Sequence, residues 1–311
     1  MAEILLENRP VDEAGERRWT TLRERTIWAI AALVLAYVVA GIAFNPAMRW
    51  DVIAEYITAP LILRGLWLTI VITAGSAAIG LIGGLVVAIA RMSENPLIRT
   101  IAIGYINLFR AVPLLVQILI WYNLGTFLPQ LGIGIPFTGI GFYAPTNDIL
   151  SPMAACLVAI GLNQSAYMGE IIRGGLLSVQ HGQIEAAVAL GMTRAKLFWR
   201  VVAPQAARAV IPPMGNDVIN LLKATSLVSV VGVGDLMTRA QSIYAATYQV
   251  IPLLLVASFW YLVLTALLSF AQNALERRFS AGTQPDRPAG RKAVEAATPQ
   301  GALRLSAREA V

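Results

Sequence analysis

Six stretches of this chain are apolar for long enough to cross a bilayer as helices, and polar, basic or Gly/Pro-rich segments separate them. Thr26–Phe44 is apolar for 19 residues, about 28 Å as an α-helix. Leu66–Ala90 is the second, with Gly75, Gly80, Gly83 and Gly84 giving it a small-residue face for close helix contact. The third runs from Ala111 to Leu128, after an interfacial piece over Leu97–Leu108. Met153–Ile172, Ala209–Val231 and Val250–Asn273 are the remaining three. The pattern predicts an all-α integral membrane protein with about six transmembrane helices. Pro129–Ser151 is rich in Gly and Pro and has no Lys or Arg; its apolar piece, Ile133–Phe142, is too short and broken to cross, so it is expected at the outer surface. Residues 281–311 lack apolar periodicity and are rich in Ala, Arg, Pro and Gly, which predicts a disordered tail.

Composition agrees. The 311 residues are 57% hydrophobic and 14% charged, with a mean hydropathy of +0.65, too apolar for one soluble domain. The net charge of +6 could suit a nucleic-acid binder, but the bases follow membrane sidedness instead. Nineteen Lys and Arg fall on one face: the N-terminal segment, Arg91, Arg99, the Arg173–Arg208 stretch and the C-terminal segment. Three, Arg49, Arg64 and Arg239, fall on the other. By the positive-inside rule both termini and the Arg173–Arg208 stretch are cytoplasmic, and no nucleic acid is needed to explain the charge. The organisation expected is a cytoplasmic tail over 1–25, a first helix and outer loop over 26–59, a main transmembrane domain over 60–280 with a cytoplasmic loop over 174–208, and the cytoplasmic tail over 281–311. The residues before the first helix mix Glu, Asp and Arg, and the apolar run is longer than a signal core, which predicts an uncleaved helix.

The chemistry available is narrow. Cys156 and His181 are the single cysteine and histidine, which argues against an intrachain disulfide, a Cys-based metal cluster, His-based catalysis and most zinc or haem sites. Cys156 is expected to pack and His181 to lie in a loop. No Gly-Lys dipeptide occurs, so the phosphate-cradling P-loop is absent and ATP chemistry would have to come from another polypeptide.

Within the basic loop, Ile184–Leu190 is expected to make two helical turns. Glu185 would sit in the first turn, where its charge suits the helix dipole. Ala186 and Ala187 would permit close approach of another surface. Gly191 can take the left-handed conformation that ends a helix, and Thr193 can cap the next one. That helix would put Leu197, Phe198, Val201 and Val202 on one stripe and stop near Pro204.

Polar residues inside the apolar stretches are costly, and several stand out. Glu170 and Arg173 are helix neighbours, either a local ion pair or a gating contact. Lys223, Asn220 and Thr225 make the fifth stretch the most polar. With Asp217 reckoned to the same side as Lys223, these residues line a path near mid-span or form a buried pair that fixes packing. Asn163, Gln164 and Ser165 could line a path or bridge helices, and Arg110 is expected to reach the inner headgroups.

The pattern Glu185-Ala186-Ala187, three residues, Gly191, nine residues, Val201-x-Ala203-Pro204 resembles the cytoplasmic EAA loop of bacterial ABC importer permeases. Flanking motifs resemble the polar amino-acid branch: Phe109-Arg110-x-x-Pro113-Leu-Leu-Val-Gln117, Ser165-Ala-Tyr-x-x-Glu170-x-x-Arg173-Gly, Val179-x-x-Gly182-Gln183 and Lys223-x-Thr225-Ser226-Leu-Val-Ser. The usual Ile-x-Leu-Pro is here Val201-x-Ala203-Pro204, which keeps the proline and trims one side chain. The resemblance implies a five-helix permease core with an extra N-terminal helix, in the bacterial cytoplasmic (inner) membrane. It assigns Glu185, Ala186, Ala187, Gly191 and Gly182 to docking a cytoplasmic P-loop ATPase dimer, which would bind the ATP and Mg; this chain would carry no cofactor and catalyse no reaction of its own. It further implies a second permease chain, identical or a sister subunit, an extracytoplasmic solute-binding protein, and a polar amino acid as cargo. A permease of this superfamily for another small solute is the nearest alternative. An ion-coupled secondary transporter would usually show two similar halves with paired broken helices, and an intramembrane enzyme would need a nucleophile-base or metal set; neither pattern is seen.

Overall fold

The computed structural model describes residues 13–134 and 141–280, with side chains from residue 24 to 279. The expected disordered tail over 281–311, and residues 1–12 of the N-terminal segment, lie outside the described residues; residues 13–25, expected as tail, begin α1 instead. In chain order the elements are α1 (Glu13–Ala43), a 3-10 turn (Pro46–Met48), α2 (Trp50–Tyr56), α3 (Pro60–Arg91), α4 (Pro96–Ala111), α5 (Leu114–Tyr122) and α6 (Leu124–Phe127). A hairpin of β1 (Gln130–Gly134) and β2 (Gly141–Pro145) follows, then α7 (Thr146–Ile149), α8 (Pro152–Leu177), α9 (His181–Ala189) and α10 (Arg194–Leu197). A π turn (Phe198–Val202), α11 (Ala203–Ala224), a 3-10 turn (Thr225–Val230), α12 (Leu236–Thr247) and α13 (Val250–Ser280) complete it. The outer segment expected over Pro129–Ser151 thus folds as an antiparallel hairpin with Ile133 opposite Phe142, plus one helical turn.

Contacts divide the chain into two units, residues up to 59 with 240–256, and residues 60–239 with 257 onward. In the first, the apolar run Glu24–Ala43 of α1 has none of its residues buried by protein. Such all-round apolar exposure suits a helix solvated by lipid. The Trp50 indole N–H donates to the Ala43 carbonyl at 2.7 Å.

The second unit is built on α8. Ser151 caps it, its hydroxyl accepting from the Ala154 amide, with Pro152 at the first position. α3 runs parallel to α8 at very close range. A methyl at Gly80 would come 2.5 Å from the Gln164 side chain, and one at Gly84 would come 2.7 Å from Met168 Cβ. The small-residue face expected of this stretch is therefore what lets the two backbones approach. α4, α5 and α11 pack around the pair, over a core of Ile72, Ile118, Cys156, Ala159, Ile160, Leu221 and Val228. Cys156 is fully buried there, a packing residue as expected.

Among the described residues, four helices (α1, α3, α8, α13) are long and apolar enough to cross a membrane alone. The third crossing differs from expectation: α4 and α5 qualify only together, bent by 101°. Pro113 causes the break. It holds Val112 extended (φ −83°, ψ 129°) and brings no N–H to the helix. Gln117 repairs it, its amide donating to the carbonyls of Phe109 (2.9 Å) and Val112 (2.8 Å), while Asn163 on α8 also donates to Phe109 at 2.8 Å. The Tyr105 hydroxyl lies 2.5 Å from the Ser165 hydroxyl. Asn163 and Ser165 therefore bridge helices. The fifth stretch also differs: α11 starts six residues earlier than expected and gives way to the 3-10 turn at Thr225. With Arg208, Asn216, Asp217, Asn220 and Lys223 it is too polar to qualify as a crossing by composition.

Candidate functional site

The loop between α8 and α11 has a defined geometry. α9 begins at His181, three residues before the expected start, so His181 opens a helix and Glu185 lies in the second turn. The first-turn dipole partnership expected for Glu185 is not made. α9 ends as its sequence foretells. Gly191 has φ +71°, its N–H bonds the Val188 carbonyl at 2.9 Å, and the Met192 N–H bonds the Ala187 carbonyl at 3.1 Å. This is a Schellman ending, which satisfies two carbonyls that the helix would otherwise leave open. The Thr193 hydroxyl then accepts from the Lys196 amide at 3.4 Å and caps α10.

The helix expected to stop near Pro204 instead continues. The Ala203 N–H reaches back to the Phe198 carbonyl, a π turn. Its wider ring carries the chain past Pro204, which has no N–H and would otherwise press on the carbonyl four residues earlier. The loop is thereby joined through continuous helix to α11, so a force on α9 and α10 has a stiff path into the core.

Gly182, Glu185 and Ala186 are exposed, whereas Ala187 is buried (4% exposed) and faces protein. The expectation that both alanines face a partner holds geometrically only for Ala186; Ala187 is small because α9 packs there. Sequence reasoning missed the apolar residues beside them: Val188, Leu190 and Trp199 are 59%, 79% and 71% exposed. The available signal was three large apolar side chains in an otherwise polar, basic loop.

The polar residues of the helical core separate into two groups. Successive helix positions turn by about 100°, so Asn216, Asn220 and Lys223 form one stripe, and all three are exposed. Asp217, reckoned to that side, is turned about 120° away from Lys223. It accepts a hydrogen bond from the Gln164 amide on α8. Thr225 is fully buried, its hydroxyl donating to the Leu222 carbonyl at 2.6 Å. Gln164 and Thr225 thus lie in the interior, apart from the Lys223 stripe. Glu170 and Arg173 pair through two hydrogen bonds, 3.0 and 2.8 Å, and the Arg110 guanidinium sits 5.1 Å from the centre of the Tyr167 ring. Among the described residues no group of three or more His, Cys, Asp and Glu is placed to hold a metal ion.

Residues 80–281 match the family described as binding-protein-dependent transport system inner membrane component. The chain belongs to this family. Its fold class and its place as a membrane-embedded transport component follow. The permease is 38% identical over 231 residues to the arginine transport system permease protein ArtQ of Bacillus subtilis, covering 74% of this chain and 98% of that one. It is 36% identical over 267 residues to the arginine transport system permease protein ArgU of Corynebacterium glutamicum, covering 84% and 83%. Among solved structures it is similar to an amino acid ABC transporter crystallised with histidines, at 36% identity and a TM-score of 0.59, covering 70% of this permease and 94% of that chain. The methionine transporter MetNI shares the fold, at 18% identity and a TM-score of 0.55.

Proposed function

We propose that this permease is the translocation subunit of an ATP-driven importer for polar amino acids, coupled to a separate ATPase through α9 and its flanking turns. The observation that carries the reading is the α9 segment. Its exposed face holds Gly182, Glu185 and Ala186 beside Val188 and Leu190, its end is fixed by Gly191, and the α10 helix that follows the turn is continuous with α11. A surface of one carboxylate, small residues and apolar side chains suits insertion into a cleft on another protein. The chain has no P-loop of its own, so the ATP and its Mg would be held by a P-loop ATPase dimer. The amino-acid class is supported by the named functions of the relatives. The base count supports cytoplasmic termini and a cytoplasmic α9. A second permease chain, and a binding protein on the outer side, complete the assembly.

The test is reconstitution. The permease, its genomic-neighbour ATPase and the binding protein are placed in proteoliposomes, and uptake of each of the twenty radiolabelled amino acids is measured with and without ATP. ATP-dependent accumulation of one or more polar amino acids is the expected result. Accumulation driven by an ion gradient without ATP would replace this reading with a secondary transporter, and ATP-driven uptake of non-amino-acid solutes alone would move it to another branch of the family.

A further inference from the structure

We infer that the seam between α11 and α13 holds an anionic phospholipid of the cytoplasmic leaflet, its acyl chain along an apolar groove and its phosphate between Arg208 and Arg278. The leaflet follows from the proposed cytoplasmic side of α9; the site itself depends neither on that reading nor on the cargo.

Two apolar cavities of about 270 and 350 Å³ lie along this seam and share Val218 and Leu268. On α11 the lining positions Ile211, Gly215, Val218 and Leu222 recur every three or four residues and form one stripe. On α13 Leu264, Leu268, Ala271 and Leu275 do the same. From Leu264 to Leu275 is about 16 Å of helix, close to the ~15 Å depth of one hydrocarbon leaflet. Thr73 and Gln272 are the polar side chains of the lining, and their donors are spent within the protein. The Thr73 hydroxyl donates to the Thr69 carbonyl at 2.8 Å; the Gln272 amide donates to the Pro212 carbonyl at 3.2 Å and the Glu276 carboxylate at 2.7 Å. Water in the groove would find few partners, so hydrocarbon suits it better.

Both stripes run on to an arginine. Three residues before Ile211 is Arg208, and three after Leu275 is Arg278. Gln272 bonds Pro212 and lies against Gly215, which sets the two helices level there. From that level Arg208 is about 10 Å along α11 and Arg278 about 9 Å along α13, toward the same end of the groove. Both are exposed, and among the described residues neither makes an ion pair. Glu276 is turned about 110° from the groove and held by Gln272. Two unpaired guanidinium groups at the mouth of an apolar groove complement a phosphate that carries acyl chains. The groove side of α11 is turned about 140° from the Asn216–Asn220–Lys223 stripe, so a protein covering that stripe leaves the groove to lipid. A second copy docked over the groove across a two-fold axis would bring the same arginines toward these, like charge against like.

The permease would be reconstituted in phosphatidylcholine vesicles with a trace of either phosphatidylglycerol or phosphatidylcholine carrying a diazirine in its acyl chain, illuminated, and mapped by peptide mass spectrometry. Adducts are expected on residues 211–222 and 264–275, in about 30-fold excess with the phosphatidylglycerol probe, roughly fivefold from each arginine. Arg208→Gln or Arg278→Gln should leave about a fivefold preference, and the double variant about none. Arg277→Gln, about 150° from the groove on α13, should keep the full preference. Ala271→Trp, which fills the groove and leaves both arginines in place, should cut labelling by both probes. Labelled peptides elsewhere with none from these two segments would overturn the inference and put protein over the groove. Equal labelling by the two probes, or a preference that survives the double substitution, would overturn it as well, leaving an adventitious acyl contact only.

Discussion

Gly191 offers the most closely defined perturbation. A Cβ added there meets nothing within 4 Å, so a substitution creates no clash and its whole cost is conformational. The backbone sits at φ +71°, where an L-residue costs about 1–2 kcal/mol, a factor of roughly 5–30 in the population of the ordered turn. Ala would carry that cost. Asn tolerates the left-handed region and should lose least, and a β-branched Val should lose most. Two amide protons report the effect directly, because the N–H groups of Gly191 and Met192 close the Schellman ending onto Val188 and Ala187. Hydrogen exchange by mass spectrometry over residues 186–193 should quicken in the order Gly, Asn, Ala, Val at position 191, and ATPase retained on purification should fall in the same order. Equal exchange in all four, or Val outperforming Asn, would refute the reasoning that this turn fixes the docking surface.

The other expectations concern the core. Gly84→Ala should lower the unfolding temperature of the purified protein, because its methyl lies 2.7 Å from Met168 Cβ and 3.0 Å from the Gly169 amide nitrogen; Gly104→Ala, in a helix and with open space around it, should raise stability by up to about 1 kcal/mol. Gln164→Leu should destabilise by about 1–3 kcal/mol by stranding the Asp217 carboxylate, and adding Asp217→Asn should recover part of it in a double-mutant cycle of thermal unfolding. Gln117→Leu should be costly too, since it strips the partner from the Val112 carbonyl at the α4–α5 bend, and protease sensitivity of that bend should increase. Lys223→Met should abolish uptake in proteoliposomes while the ATPase still co-purifies; unchanged uptake would remove Lys223 from the expected path.

Much of the architecture was legible because the membrane imposes it. Long apolar runs must be helices, so α1, α3, α8 and α13 could be placed from hydropathy, with ends misjudged where a helix runs on past a charged residue, as at Arg64 in Pro60–Gly65, or into a polar segment, as at Ala274–Ser280. The Gly191 turn and the Thr193 cap were readable because each rests on a residue-specific backbone or side-chain property. What escaped depended on long-range partners. The break at Pro113 was read through as one span, and only Asn163, 54 residues from Phe109 and on α8, and Gln117 together show how a 101° bend keeps its carbonyls bonded. Ala187 looked like Ala186 in sequence and differs only in what packs on it. The side of α11 on which Asp217 falls was misjudged by helix arithmetic, and so was that of Thr225, which two helix positions turn about 200° from Lys223.

The central claim is that α9 couples this permease to an engine on another chain. The most direct measurement is affinity purification of the tagged protein from native membranes in mild detergent, with and without Gly191→Asp, identifying everything that accompanies it. Expected is a P-loop ATPase that comes with the wild type and is lost from the variant, although the variant is still inserted. Wild-type protein that purifies alone, or with partners that ignore the substitution, would contradict the account.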